Sequence, residues 1–375
     1  MRRLRVALVV PIPIDRGREG AEHAFHGPSL AHTLALARAG AEAHLLLPGW
    51  SRGVEDLGGG AYLHRVLAPV GLAIPAAMAA TLLKLSPDVV HLFHFRSIPT
   101  LSALSRLPYP LFGEYNGGTT PRSSLKRRLM QQALDRCAGV FFTAAEQAQA
   151  FEGLRFPSII ESPEVSARPL PVFDRQAART ALRIEGDPLV LAVARLEPPK
   201  DPWTILAAFQ AVYTRQPAAR LLWLDGANRG AQRTDIEAAI VERGLRHAIE
   251  IRDHFNTEDM GRAYSAADVM IHASTREICG HAFMEALSFG LPIVASDIPA
   301  FRRWRPITEG VELSKVGDPA DFAAAIARAS LLRTSGARHA LFEESLSWTA
   351  IGKDRHGHYL NAAHRHDQKF SGTST

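Results

Sequence analysis

The residues best suited to chemistry lie in one short segment of the 375-residue chain, between positions 274 and 297. Glu277 stands in a polar loop after the apolar run Val269 to His272. Gly280 then lets the backbone turn into a helix, whose first N–H groups have no intrahelical partner and can bind an anion. Glu285 lies about a turn and a half into this helix, so its carboxylate is expected beside the bound group. A surface loop with a capping glutamate would explain the same residues.

A pair of cations after another apolar run is the second signal. Arg195 and Lys200 are five residues apart, in a proline-containing loop that follows the predicted strand from Leu189 to Ala194. A guanidinium fork and an ammonium group at these positions can bind a diphosphate. A solvated loop is the alternative for this segment taken alone. Together, cations and helix N–H groups near phosphates and acids near sugar hydroxyls describe a site for a nucleoside-diphosphate-sugar.

The elements that must position these residues are short apolar runs that alternate with helical patterns. This order is typical of parallel sheets covered by helices. Strands are predicted from Arg5 to Val10, His44 to Leu47, Val89 to Phe93 and Val140 to Thr143, and again from Leu189 to Ala194, Arg220 to Leu224, Ile249 to Ile251, Val269 to His272 and Ile293 to Ala295. The predicted fold class is α/β, with two Rossmann-like, doubly wound parallel-sheet lobes facing a cleft.

A cluster of prolines between Glu161 and Asp187 interrupts the alternation and marks the boundary between lobes. We therefore predict a first lobe over 1–165, a second lobe over 166–345, a terminal helix over 346–366 and a disordered tail over 367–375.

The segment from Gly186 to Arg303 resembles the retaining glycosyltransferases of the GT-B fold, of the family 4 type, also called glycosyl transferases group 1. The hallmark of that family is two glutamates separated by seven residues, which Glu277 and Glu285 match. The segment from Tyr264 to Val269 resembles the family's lead-in to this motif. The resemblance is weaker over the first lobe.

In that family the first glutamate lies beside the donor sugar and the second binds the ribose hydroxyls, so the resemblance implies these roles for Glu277 and Glu285. It also implies that Arg195 and Lys200 bind the diphosphate. Further donor contacts are expected at the start of the helix, at Cys279, Gly280, His281 and Ala282.

Ile278 departs from the family pattern, because glycine usually follows the first glutamate there. A β-branched side chain disfavours positive φ, so the loop backbone or the sugar pocket is expected to differ from the common form. The family's last helix returns to the first lobe, and the same is expected of 346–366.

The resemblance implies acceptor-side residues in the first lobe. Gly17 and Gly20 fit a glycine loop after the first strand, although Gly27 and Pro28 compete for that role. The loop containing Asn116, Gly117 and Gly118 resembles another segment that faces the cleft in related enzymes.

The family also has a histidine near the sugar, after a later strand. His91 fits by its distance from Asp88, whereas His94 fits by its position past the strand end. A buried, hydrogen-bonded core histidine is the alternative for His91.

Composition and missing motifs exclude other classes. The sequence has 22% charged residues and a formal net charge of +5, and a positive charge suits anionic ligands or an anionic membrane. Nucleic-acid binding is not expected, because no basic run is interleaved with aromatic residues that could stack on bases. The two cysteines are too few for a disulfide framework and lack metal-ligand spacing. The sequence contains no Asp-x-Asp triplet, so a metal-bridged donor site is not supported. The first strand is not followed by Gly-x-Gly-x-x-Gly, which argues against a simple dehydrogenase. We therefore expect neither a cofactor nor a metal.

Two apolar stretches bear on localisation. The run from Val6 to Val10 follows a charged start but lacks a cleavage site, so a buried first strand is predicted. The uncharged stretch from Val66 to Leu83 contains Pro69, Gly71 and Pro75, which favour a loop and a helix over a membrane span. A cytoplasmic protein is expected, with possible peripheral contact at the inner face of an anionic membrane.

The two signals after Leu189 and the family resemblance together imply a hexosyltransferase that uses a UDP- or GDP-linked sugar. The resemblance further implies transfer to an acceptor hydroxyl with retention, and a role in bacterial surface-glycan or related glycoconjugate synthesis. The expected acceptor is a sugar, a lipid-linked glycan or a small molecule. A nucleotide-sugar epimerase or hydrolase on the same fold, and a non-catalytic two-lobed binding protein, are the alternatives.

Overall fold

The computed structural model describes residues 2–13, 27–68, 71, 73–226, 232–253, 255–304, 309–332 and 334–371. The chain forms two compact units. Unit 1 comprises Met1–Val165 and Trp348–Thr375, and unit 2 comprises Ser166–Ser347. The division after Val165 lies where the sequence places it, whereas unit 2 ends at Ser347 and not at 345, because the terminal helix begins at Trp348 and not at 346.

Unit 1 is built on an eight-stranded sheet in the order β3-β4-β2-β1-β5-β6-β7-β8. The strands are β1 (Arg5–Val9), β2 (Glu42–Gly49), β3 (Gly53–Gly58), β4 (Ala61–Leu67), β5 (Val89–Leu92), β6 (Leu111–Glu114), β7 (Gly139–Phe142) and β8 (Ile159–Glu161). Neighbouring strands are parallel except β3 and β4, which form an antiparallel edge pair. Val6 to Val9 are fully buried between β2 and β5, which confirms the apolar run near the start as a core strand.

Helices cover both faces of this sheet. They are α1 (Gly27–Arg38), α2 (Ile74–Leu85), α3 (Ile98–Leu104) and α4 (Ser124–Leu134), with a 3₁₀ segment at Ala145–Phe151. Helices α2, α3 and α4 pack side by side and place Met78, Leu101 and Leu134 in one core. Helix α1 places Leu30 and Leu36 in the core on the opposite face.

Unit 2 is built on an all-parallel six-stranded sheet in the order β11-β10-β9-β12-β13-β14. Its strands are β9 (Leu189–Val193), β10 (Arg220–Leu224), β11 (Ile249–Arg252), β12 (Val269–His272), β13 (Ile293–Ser296) and β14 (Val311–Ser314). Its helices are α5 (Arg175–Leu182), α6 (Pro202–Arg215), α7 (Arg233–Glu242), α8 (Thr257–Ala266), α9 (His281–Ser288), α10 (Pro299–Arg302), α11 (Pro319–Ala329) and α12 (Gly336–Ser345). The central strands are continuous apolar runs because both faces of a parallel sheet are buried. Two parallel-sheet α/β units confirm the predicted fold class.

The last helix, α13 (Trp348–Ser371), belongs to unit 1 and packs against α1. The contact is close, since a Cβ atom at Gly352 would lie 2.6 Å from the carbonyl oxygen of Ala35. The predicted tail over 367–375 is wrong for 367–371, which are helical. The segment from Trp348 to Ser371 contains no proline, which permits an uninterrupted helix over its whole length. Residues 372–375 lie outside the described part.

Candidate functional site

The two signals found in the sequence meet at one edge of the unit 2 sheet. The loop after β9 carries Arg195 and Lys200, and the loop after β12 carries Glu277. Because β9 and β12 are parallel neighbours, both loops leave the sheet at its carboxyl edge. The amide of Thr275 donates a hydrogen bond to the carbonyl of Pro199 over 2.9 Å. The loops are therefore joined directly.

A polar cluster holds the carboxylate of Glu277. Its Oε1 atom accepts a hydrogen bond from the Ser274 hydroxyl at 2.9 Å, lies 3.2 Å from Nε2 of His272 and forms an ion pair with the Lys200 ammonium. Burial by itself raises the pKa of Glu277, but the hydrogen bond with His272 and the charge of Lys200 outweigh it and lower the pKa to about 2. Glu277 is thus an ionised, positioned carboxylate at neutral pH.

Helix α9 begins immediately after this cluster. Gly280 precedes its first residue and has a φ of +84°, a conformation that L side chains rarely adopt. A Cβ atom there would lie 3.0 Å from Cε1 of Phe301. Ile278 is not among the positive-φ residues of the described chain, so its β-branched side chain causes no backbone strain. The tight turn is made at Gly280 instead.

The other predicted donor contacts surround this turn. Cys279 is buried, His281 is exposed and Ala282 is half-buried. The N–H groups of the first helical turn lack intrahelical acceptors, as at any helix start. They add partial positive charge beside the Lys200 ammonium, which suits the phosphates of a diphosphate.

Glu285 lies on α9 as expected, but it is more enclosed than a ribose contact requires. Its carboxylate accepts hydrogen bonds from Nε of Arg168 at 2.5 Å and from the hydroxyl of Tyr264 at 2.8 Å. The Glu285 side chain is 3% exposed, whereas the Arg168 side chain above it is 54% exposed. Both carboxylate oxygens of Glu285 are thus already engaged within unit 2, and a ribose hydroxyl would have to compete with Arg168 or Tyr264 for them.

Arg195 occupies an open position in the β9 loop. Its side chain is 52% exposed and forms an ion pair with Glu197 at 2.8 Å. The backbone beside it is fixed, because the amide of Leu196 donates to the buried Asp225 at 2.8 Å. The guanidinium is therefore accessible to a phosphate that competes with Glu197.

His91, one of the two histidine candidates, is completely buried in β5. Its Nε2 atom lies 3.1 Å from a Glu114 oxygen, and its Nδ1 atom lies 2.8 Å from the hydroxyl of Tyr359. Burial lowers the pKa of His91 and favours its neutral form, although Glu114 acts in the opposite direction. Since both ring nitrogens are engaged in the core, the structure favours the core-histidine alternative. His91 is not placed to contact a sugar.

His94 and Asn116 lie together at the carboxyl edge of the unit 1 sheet. The side-chain oxygen of Asn116 accepts a hydrogen bond from the amide of His94 at 2.6 Å. Gly117 and Gly118 follow with φ values of +96° and +104°. L side chains rarely adopt such φ values, so glycine is favoured at both positions, and at Gly118 a Cβ atom would also displace the end of the Arg96 side chain, whose Cδ would lie 2.8 Å away. Gly17 and Gly20 lie outside the described residues.

Four residues of the unit 2 site were missed by sequence reasoning as partners of the glutamates. His272 and Ser274 had a signal, because polar residues at the end of a buried parallel strand face its carboxyl edge. Arg168 and Tyr264 are 117 and 21 residues from Glu285, and no local pattern links them to it.

With this geometry established, comparison with known proteins identifies the domain. The profile of the family described as glycosyl transferases group 1 matches residues 174–345, which include the cation loop and both glutamates. The chain carries a glycosyl transferases group 1 domain. A D-inositol 3-phosphate glycosyltransferase from Geodermatophilus obscurus is 32% identical over 180 residues, which cover 44% of this chain. The aligned part spans 40% of that relative's length.

Solved structures extend the similarity to the whole fold. A glycosyltransferase from Rickettsia africae superposes with a TM-score of 0.73 at 14% identity, covering 96% of this chain and 99% of the other. Anabaena HepE in complex with UDP superposes with a TM-score of 0.61 at 14% identity, covering 99% of each chain. At these identities the likeness shows the GT-B fold and no more.

Helix length and polarity decide whether a segment can cross a bilayer. Among the helices that the structure describes, none is both long and apolar enough to do so. The uncharged stretch after Val66 instead contains helix α2, as the prolines predict.

Proposed function

We propose that the chain is a hexosyltransferase that moves a sugar from a UDP- or GDP-linked donor to an acceptor hydroxyl, with retention at the anomeric carbon. The observation that carries the proposal is the ion pair between Lys200 and Glu277, held next to the start of α9 within the family-matched domain. This arrangement places positive charge for a diphosphate and one ionised carboxylate for a sugar within a few residues of each other.

The chemistry follows from where charge develops. When the bond between the anomeric carbon and the phosphate oxygen breaks, its electron pair stays on the departing diphosphate, and the sugar ring becomes positive. The departing diphosphate is stabilised by Lys200, Arg195 and the N–H groups of α9, and this stabilisation does not require a metal ion. Glu277 stabilises the positive sugar or binds its hydroxyls. Such preorganised charge lowers the barrier because it need not rearrange during the reaction.

The acceptor side is proposed at the carboxyl edge of the unit 1 sheet, around His94, Asn116 and the two glycines that follow. Hydrogen bonding between His94 and Asn116 supports this assignment, since it fixes both residues at one edge. We further propose a cytoplasmic role in bacterial surface-glycan or related glycoconjugate synthesis, in keeping with the bacterial origin of the matched relatives.

The test is release of nucleoside diphosphate from UDP- and GDP-sugars, each incubated alone and with a panel of glycan, lipid-linked and small-molecule acceptors. Acceptor-dependent release with a new glycosidic product of retained configuration is expected. Equal release or isomerisation with donor alone would assign the epimerase or hydrolase alternative. Donor binding without turnover on any acceptor would assign a binding protein.

A further inference from the structure

One face of unit 1 has an unusual distribution of charge. Between Asp56 and Asp135 the sequence contains two acidic residues, Asp88 and Glu114, against eight lysines and arginines. Asp88 accepts a hydrogen bond from the amide of Arg5 at 2.7 Å, and Glu114 is 1% exposed. Helices α2, α3 and α4, which all lie in this range and form one layer, contain no acidic residue at all. The layer therefore presents cations to solvent without neutralising carboxylates of its own.

The cations are concentrated at the start of α4. Arg122, Lys126, Arg127 and Arg128 are all exposed, and none of their side chains has a hydrogen bond or ion pair with another residue of the described chain. Cations near a helix N-terminus are unfavourable, because the helix dipole is positive there. Folding alone would favour acids at these positions, so the four cations point to an anionic partner.

Exposed apolar side chains accompany the cations in the same layer. Leu125, between Arg122 and Lys126, is 64% exposed, and Leu83 on α2 is 54% exposed. Ala76, Ala80 and Leu83 are exposed along one side of α2 at helical spacing. An anionic surface that also accepts leucine and alanine side chains is the interface of a lipid bilayer, where amphipathic basic helices insert their apolar residues. A nucleic acid would favour aromatic side chains for stacking, whereas the large exposed apolar residues of the described layer are leucines.

We propose that the layer formed by α2, α3 and α4 binds the surface of an anionic membrane, with the cations of α4 against the lipid headgroups and Leu125 inserted between them. Helices α2, α3 and α4 each follow a strand of the parallel part of the sheet, so each begins at its carboxyl edge. The cations lie at the start of α4, so docking through them brings the carboxyl edge of the sheet, which holds Asn116, close to the headgroups. A lipid-linked acceptor follows from this placement, and that last step rests on the proposed function.

Co-sedimentation with vesicles tests the docking without any enzyme assay. The full chain is mixed with phosphatidylcholine vesicles that contain or lack phosphatidylglycerol. Binding to the anionic vesicles only, weakening as salt is raised, is expected. Because each cation near such a surface contributes about 1 kcal/mol, replacing one should weaken binding about fivefold. The combined variant R122Q/K126Q/R127Q/R128Q should weaken it more than about 100-fold.

The matched control removes four exposed cations elsewhere, as R215Q/R246Q/K315Q/K353Q, with the same change in net charge. It should bind anionic vesicles nearly as the unmodified chain does. The variant L125Q should leave the salt dependence in place but lower the affinity. Thermal melts check that each variant is folded.

Three results would overturn the proposal: no binding of the unmodified chain to anionic vesicles at low salt, equal losses in the α4 variant and the control, or tighter binding to an RNA or DNA oligonucleotide that the α4 variant abolishes. The vesicle result is independent of turnover, so failure of this proposal and failure of the proposed function are distinguishable.

Discussion

The carboxylate of Glu277 is held so firmly in its ionised form that its removal should leave a pH-dependent signature in stability. Its pKa falls from an ordinary value of 4.5 to about 2, a difference of about 2.5 pH units. At about 1.4 kcal/mol per pH unit this corresponds to roughly 3 kcal/mol by which the folded unit favours the carboxylate over the neutral acid. Glu277→Gln substitutes a neutral group of the same shape. We expect it to lower the free energy of unfolding at pH 7 by about 3 kcal/mol.

The sign of the pH dependence follows from the depressed pKa. Stabilisation by Glu277 is fully present above about pH 4.5 and is lost as the pH falls through about 2. In acid the unmodified side chain is itself protonated and resembles glutamine. The difference in unfolding free energy between the unmodified chain and the variant should therefore shrink towards zero between pH 4.5 and 2.

Urea titrations across this pH range measure the difference, followed by tryptophan fluorescence from the buried Trp223 and Trp304 of unit 2. Glu344→Gln is the matched control, because this exposed glutamate of α12 forms no ion pair in the described chain. The control should show a small difference at every pH. A loss that is the same at pH 7 and pH 2.5 for Glu277→Gln would refute the assigned ion pair and hydrogen bonds.

Three further predictions concern the ligand site and the terminal helix. On the proposed ribose role, Glu285→Ala should weaken the binding of nucleoside diphosphate and sugar nucleotide alike, by about 1.5 to 3 kcal/mol, because the ribose would lose a charged partner. On the proposed sugar role, Glu277→Ala should lower kcat and leave the affinity for nucleoside diphosphate nearly unchanged. Calorimetry and kinetics measure both effects, and unchanged affinity in the Glu285 variant would contradict the ribose role. Turnover should survive EDTA, since the proposed diphosphate site consists of cations and helix N–H groups. Loss of activity that manganese restores would refute metal independence. Gly352→Ala should destabilise unit 1 by about 1 to 3 kcal/mol, because the new Cβ atom would lie 2.6 Å from the Ala35 carbonyl oxygen. Gly357→Ala is the control and should not destabilise the unit, because the space around Gly357 is open. Equal melting temperatures of the two variants would argue against the contact with α1.

The sequence by itself determined the fold class and the edge of the sheet at which the main candidate residues lie. Continuous apolar runs such as Val269 to His272 predict buried parallel strands, because both faces of the sheet are covered. The loops after such strands lie at one edge of the sheet, so the order of strands and loops along the chain predicts Arg195, Lys200 and Glu277 at that edge. That β9 and β12 are neighbours, which brings the two loops into contact, came from the structure. Local chemistry at Gly280 was likewise sufficient to predict the turn into α9.

Several elements had no comparable local signal. The edge strand β3 is exposed on alternate residues and contains Glu55 and Asp56, so it lacks the apolar run that marks the central strands. The three-residue strand β8 and the seven-residue helix α3 are too short for their periodicity to be decisive. Pairing with longer neighbours stabilises them, and that depends on the whole sheet.

The tertiary structure alone decided the state of the candidate groups. It buried His91 against Glu114 and Tyr359, and it paired the Glu285 carboxylate with Arg168. No local pattern in the sequence distinguishes His91 from His94 or Glu285 from Glu277 in this respect. It also lowered the pKa of Glu277 through His272 and Lys200. Hydrogen bonding and charge act over a few ångströms between residues that are up to 268 positions apart, so spacing along the chain predicts which groups are available but not which of them are already engaged.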